Sequence, residues 1–165
     1  MSERASELAD RFTTANDELI GIIQGAGDAQ LTTICPGEQW SVLVTARHVS
    51  VSYRVVGSWI RRVANGEPVP TTRHQIDEGN AQHAQENAMT TREEVLTLLR
   101  ENGAKASDVI RNLSDEQLAT SAAMGPANGA HLTAEQVARD VLIRHVWDHT
   151  ADIRAAIARE PADQA

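Results

Sequence analysis

The chain has 165 residues, a formal charge of −8 and a hydrophobic share of 41%. That length suits one domain with a core of its own, and the acidic balance argues against a nucleic-acid backbone or an anionic membrane as partner. Aromatics at 3% disfavour a β-sandwich, and a single cysteine, Cys35, rules out an intrachain disulfide. No apolar stretch follows a basic start, and no run of about 18 apolar residues exists, so a soluble, cytoplasmic protein is expected.

Apolar periodicity predicts an all-α chain of four long helices, with no strand. The first covers about residues 3–26, with Leu8, Phe12, Ala15, Leu19, Ile22 and Ile23 on one face and Gly25 and Gly27 at its end. The second covers about 41–65. Ser41 is its expected N-cap, and Asn65-Gly66 stops it, with Pro68 and Pro70 just beyond. The third covers about 91–113, opened by Thr90 or Thr91 with Glu93 or Glu94 in a capping box. The fourth covers about 133–159. Thr133 and Gln136 supply its cap, and Ala138, Val141, Leu142, His145, His149, Ile153 and Ala156 share a face.

The linker between helices two and three, 66–90, is long enough to return along a helix of roughly 35 Å, so these two helices can run parallel. Within it Gln75–Asn87 reads as a short helix of its own. The expected architecture is a single four-helix bundle over residues 1–160 with a long crossover between helices two and three, followed by a flexible tail, 161–165.

His145 and His149 form an H-x-x-x-H pair on the apolar stripe of the fourth helix. Residues four apart stand roughly 6 Å apart on one face, so two imidazoles there can share a metal ion. Buried without a partner they would be unfavourable, and a metal relieves that by using the ring nitrogens. The alternative is a pair bonded to water or carboxylates at a bundle end. His48, eight residues after Trp40, lies on the inner face of helix two, and periodicity alone does not tie it to the pair.

The stretches PGEQWSVLVTARHV, HQIDEGNAQHAQENAMTTREEVLTLL and HVWDHTADI, in this order and spacing, resemble the DinB-like superfamily, and within it the branch of mycothiol-dependent maleylpyruvate isomerase. In that family a Trp-Ser/Thr pair opens helix two, a histidine follows eight residues after the Trp, and the last helix carries H-x-x-x-H. The resemblance implies a four-helix bundle with a long crossover and a divalent ion, zinc or nickel, held by His48, His145 and His149. It also implies a low-molecular-weight thiol as reaction partner, activated at the metal for S-transfer or cis–trans isomerisation, and a homodimer. One departure is Val44, where many members carry the acidic residue of a capping box; this weakens a cap and removes no ligand.

Fifteen basic residues include one lysine, Lys105, a bias of GC-rich coding that favours mycothiol as the thiol. A thiol-dependent S-transferase or isomerase acting on an electrophilic small molecule is therefore the leading expectation. The rivals are a non-catalytic dimerising stress or binding module, and a metal-dependent hydrolase using metal-bound water. Zincin-type hydrolysis is disfavoured because Val146 stands where H-E-x-x-H has its glutamate. Asp152, three residues after His149, either accepts a hydrogen bond from that ring or stands solvated, and Asp148 points elsewhere. His74, His83, Asp77 and Asn80 lie in the crossover, where they cover the site mouth or are simply exposed. His131 reads as structural or exposed, Cys35 as an inert thiol, Trp59 and Trp147 as packing residues, and Arg144 and Arg154 as solvated.

Overall fold

The computed structural model describes residues 2–159, so the expected tail lies outside the described part. The elements in chain order are α1 (Glu3–Gly25), a short α2 (Asp28–Leu31), α3 (Val42–Ala64), α4 (Arg73–Glu86), α5 (Arg92–Arg111), a short α6 (Asp115–Ala119), β1 (Ser121–Met124) and β2 (Ala130–Thr133). A last helical run follows: α7 (Ala134–Gln136), a π-helical segment (Val137–Ile143) and α8 (Arg144–Ile157). The four long helices begin where their caps stand. The hydroxyls of Ser2, Ser41, Thr91 and Thr133 each accept a backbone N–H from the first turn.

Contacts between helices fix their directions. Arg47 meets Glu94 near the start of both α3 and α5, and Asn102 Nδ2 donates to the Ser50 carbonyl at 3.0 Å, so α3 and α5 run parallel. Asn16 reaches the Leu99 carbonyl at 3.1 Å and Arg111 pairs with Asp10, so α1 opposes α5. Arg4 with Glu135, and Arg154 with Glu18, set α1 parallel to the last helix. The result is a four-helix bundle in which the α3–α5 connection returns along the bundle, as the length of the linker predicts.

The core is aliphatic, with Leu19, Ile23, Ile60, Leu99, Ile110, Leu142 and Ile153 fully buried. One polar knot lies inside it. Tyr53 OH donates to Asn16 Oδ1 at 2.9 Å while Phe12 packs edge-on against the Tyr53 ring at 5.0 Å. Low-dielectric surroundings push the Tyr53 hydroxyl far up in pKa, so it is a permanent donor.

Two features differ from the sequence-based expectation. The first is a strand pair: β1 and β2 form an antiparallel hairpin where no strand is predicted. Its strands, SAAM and AHLT, are four residues each, too short to show an alternating pattern. Asn128 and Gly129, at φ 54° and 81°, make the turn. Tertiary pairing secures it, since Val69 of the crossover donates to the Ala123 carbonyl at 2.9 Å and Gly125 N–H donates back to Val69 at 2.8 Å. A Cβ at Gly125 would stand 2.3 Å from the Thr71 carbonyl, so only glycine allows this approach.

The second is the π-helical segment. Its wider turns rotate the helix relative to a regular α pattern. Val141, expected on the buried stripe, is only half-buried, while Ile143 and Val146 become core residues.

Candidate metal centre

His48 stands two turns into α3, on a helix started by the Ser41 hydroxyl, which accepts from Val44 N–H at 3.2 Å. The cap therefore forms even though Val44 cannot return the second bond of a capping box. His145 and His149 lie in the first turns of α8, immediately after the π-helical segment. The three rings converge: centroids are 5.1 Å apart for His48–His145, 5.2 Å for His48–His149 and 4.4 Å for His145–His149. One nitrogen from each lies within 4.8 Å of the others.

His48 is buried and the other two are half-buried. Burial pushes the imidazole of His48 down to about 3 and that of His145 down to about 2, and the neighbouring imidazoles add to the shift in both. Burial also pushes His149 down, opposed by the charges of Glu38, Asp152 and Asp148. The trio is therefore neutral at pH 7, with lone pairs available, in a field that three carboxylates make negative. His145 Nε2 is buried and has no hydrogen-bond partner among the described residues.

The surrounding wall comes from two further elements, the loop that ends at Trp40 and α4. Trp40 packs edge-on against His48 at 5.3 Å, and His83 of α4 faces His48 at 5.8 Å. Trp40 sits at the end of a tight loop in which Cys35 N–H donates to its carbonyl at 2.7 Å. The loop is docked by Asp152, whose two carboxylate oxygens accept from Gly37 N–H at 3.0 and 3.1 Å. Asp152 is thus a loop anchor, and among the described residues no hydrogen bond joins it to His149; it acts on that ring through its charge.

The remaining candidates separate cleanly. Of the crossover residues, His83 reaches the site, whereas His74 is exposed beside Glu78 at 3.3 Å, Asp77 is exposed and Asn80 is half-buried. His131 is exposed on β2. Cys35 is fully buried and burial raises its thiol pKa, in keeping with an inert thiol. Trp59 is a core residue and Trp147 is 36% exposed. Arg144 pairs with Asp148 at 3.6 Å and Arg154 with Glu18. Sequence reading missed Arg47, the residue before His48, because its partners His83 and Glu94 are brought in only by the fold.

The fold has solved relatives. YfiT from Bacillus subtilis, a probable metal-dependent hydrolase with an unusual four-helix bundle topology, superposes with a TM-score of 0.70 at 18% identity, covering 94% of this chain and 86% of its own. The mycothiol-dependent maleylpyruvate isomerase superposes with a TM-score of 0.73 at 15% identity over 93% of this chain. This chain spans 63% of that enzyme's length. No curated protein matches by sequence. At such identities these likenesses establish the bundle and nothing finer. The family model of the DinB superfamily matches residues 11–153, most of the chain, and the protein belongs to that superfamily.

Proposed function

We propose that the His48–His145–His149 cluster holds a divalent metal ion and that the protein is a thiol-dependent S-transferase or isomerase. The observation that carries this reading is the convergence of three neutral imidazoles with ring nitrogens within 4.8 Å, His145 having a buried Nε2 with no hydrogen-bond partner among the described residues. The field of Glu38, Asp148 and Asp152 favours a cation. Imidazoles suit zinc and nickel alike.

Bound by these three neutral imidazoles, a divalent ion would supply positive charge that lowers the pKa of a thiol ligand toward neutrality. The chain's own residues present the three lone pairs, keep the imidazoles unprotonated, and wall one side with Trp40 and His83. A thiol partner is favoured over hydrolysis because the carboxylates adjacent in sequence are engaged elsewhere. Asp148 pairs with Arg144 and Asp152 binds Gly37, so neither is placed as a base for water. The maleylpyruvate isomerase relative uses mycothiol, which makes it the thiol to try first.

The test uses untagged protein. Metal content by mass spectrometry should approach one ion per chain, and His149→Ala should lose it, because two imidazoles hold an ion poorly. With mycothiol and a generic electrophile, turnover should require both thiol and metal. Protein that takes up neither zinc nor nickel would overturn the reading, and thiol-independent turnover would move it to a hydrolase.

A further inference from the structure

A groove of about 790 Å³ runs between the parallel helices α3 and α5, and none of its lining residues belongs to the histidine cluster. Its floor is apolar, built from Val51, Val55, Trp59 and Val109, and Val55 is left 44% exposed. Arg54, Arg61 and Lys105 also line it, and no carboxylate does. Acidic residues outnumber basic ones 23 to 15 in this chain, so a lining charged by cations alone runs against the overall balance. All three are exposed, and the ion pairs among the described residues engage other cations. Arg54 and Arg61 stand two turns apart on α3, roughly 10 Å along its axis, and Lys105 comes from α5.

Gly57 is a second, independent observation. It is buried in the middle of α3, where glycine weakens a helix relative to alanine. Packing does not require it, because a Cβ there would meet nothing within 4 Å beyond its own helix. The residue lines the same groove, so its missing side chain leaves the α3 backbone open to a group from outside the chain. The two walls are tied together where Asn102 Nδ2 donates to the Ser50 carbonyl at 3.0 Å, so the groove is preformed. An inorganic anion would satisfy the cations and leave the apolar floor bare. A second copy of this chain, docked face to face about a two-fold axis, would set cations against cations. An apolar body carrying a negative charge satisfies both the floor and the rim, and the groove has the volume of a small-molecule site.

We propose that the α3–α5 groove binds a small amphipathic organic anion, whose apolar body lies against Val55 and the Gly57 backbone and whose charged group is met by Arg54, Arg61 and Lys105. The site is separate from the metal centre and does not depend on it.

The experiment is fluorescence titration of the full chain in chelator with two probes. Anilinonaphthalene sulfonate joins an apolar ring system to one negative charge, and phenylnaphthylamine is its neutral counterpart. The sulfonate should bind one per chain, about tenfold more tightly than the neutral probe. Arg54→Gln, Arg61→Gln and Lys105→Gln combined should remove that difference by weakening the sulfonate alone; the three side chains are exposed, so the fold is retained. Gly57→Ala should weaken both probes while raising the denaturant midpoint, since alanine favours the helix. Equal affinity for the two probes in wild type, unaltered sulfonate affinity in the triple variant, or wild-type binding by Gly57→Ala would each overturn the proposal. A dimer in sedimentation that comes apart in the triple variant would also overturn it, and would assign the groove to a second copy of the chain.

Discussion

Tyr53 and Asn16 show how one buried pair governs a helical core. Asn16 spends its amide N–H on the Leu99 carbonyl and its oxygen on the Tyr53 hydroxyl, so each polar atom is satisfied. Tyr53→Phe would leave Asn16 Oδ1 without its donor while keeping the ring against Phe12. We expect a loss of about 1–2 kcal/mol, read as a lower denaturant midpoint with an unchanged slope. Unaltered stability would mean that Asn16 finds another donor. At the same scale, the His145–His149 pair was legible because H-x-x-x-H states its own geometry on a helix, whereas His48 was tied to it only by the family resemblance. Arg47 and His83 were not legible, since residues 36 positions apart meet only after α4 has folded back over α3.

Among elements, the Cys35–Trp40 loop shows that a connection can be as specified as a helix. Asp152 clamps Gly37 N–H with both oxygens, and a Cβ at Gly37 would stand 2.8 Å from Asp152 Oδ2. Gly37→Ala must displace the Asp152 carboxylate and so break the clamp on the loop that carries Trp40. Unfolding measurements on Gly37→Ala, Asp152→Ala and the double variant should show a coupling of about 1 kcal/mol, because either change alone removes the same contact. Strict additivity would show the clamp to be incidental. The hairpin β1–β2 makes a related point. Its two four-residue strands carry no local strand signal, and the crossover at Val69 supplies backbone hydrogen bonds that hold them.

Over the whole molecule, the neutral imidazoles make stability depend on pH in a defined direction. In the unfolded chain they titrate near 6.5, whereas folding holds His48 at about 3 and His145 at about 2. Between these values the unfolded state binds more protons, so stability of the metal-free protein is full above about pH 6.5 and is lost as pH falls toward 3. Thermal melts in chelator between pH 5 and 6.5, a window roughly above the carboxylate range, should show a falling Tm on acidification. The slope should be shallower for His145→Gln. A flat profile in that window would show that the imidazoles are not held neutral.

Local signals determined much of this protein. The caps at Ser41, Thr91 and Thr133 and the apolar stripes they precede set the four helices, because capping and periodicity are properties of neighbouring residues. The length of the 66–90 linker allowed α3 and α5 to run parallel, because reach is a matter of counting. Tertiary structure alone decided the rest. It paired two four-residue strands around Gly125, rotated the last helix through a π-helical segment so that Val146 rather than Val141 met the core, turned Asp152 to Gly37, and brought His83 beside His48. Each of these depends on partners distant in the chain, whose approach is set by packing and not by any pattern that a local stretch can carry.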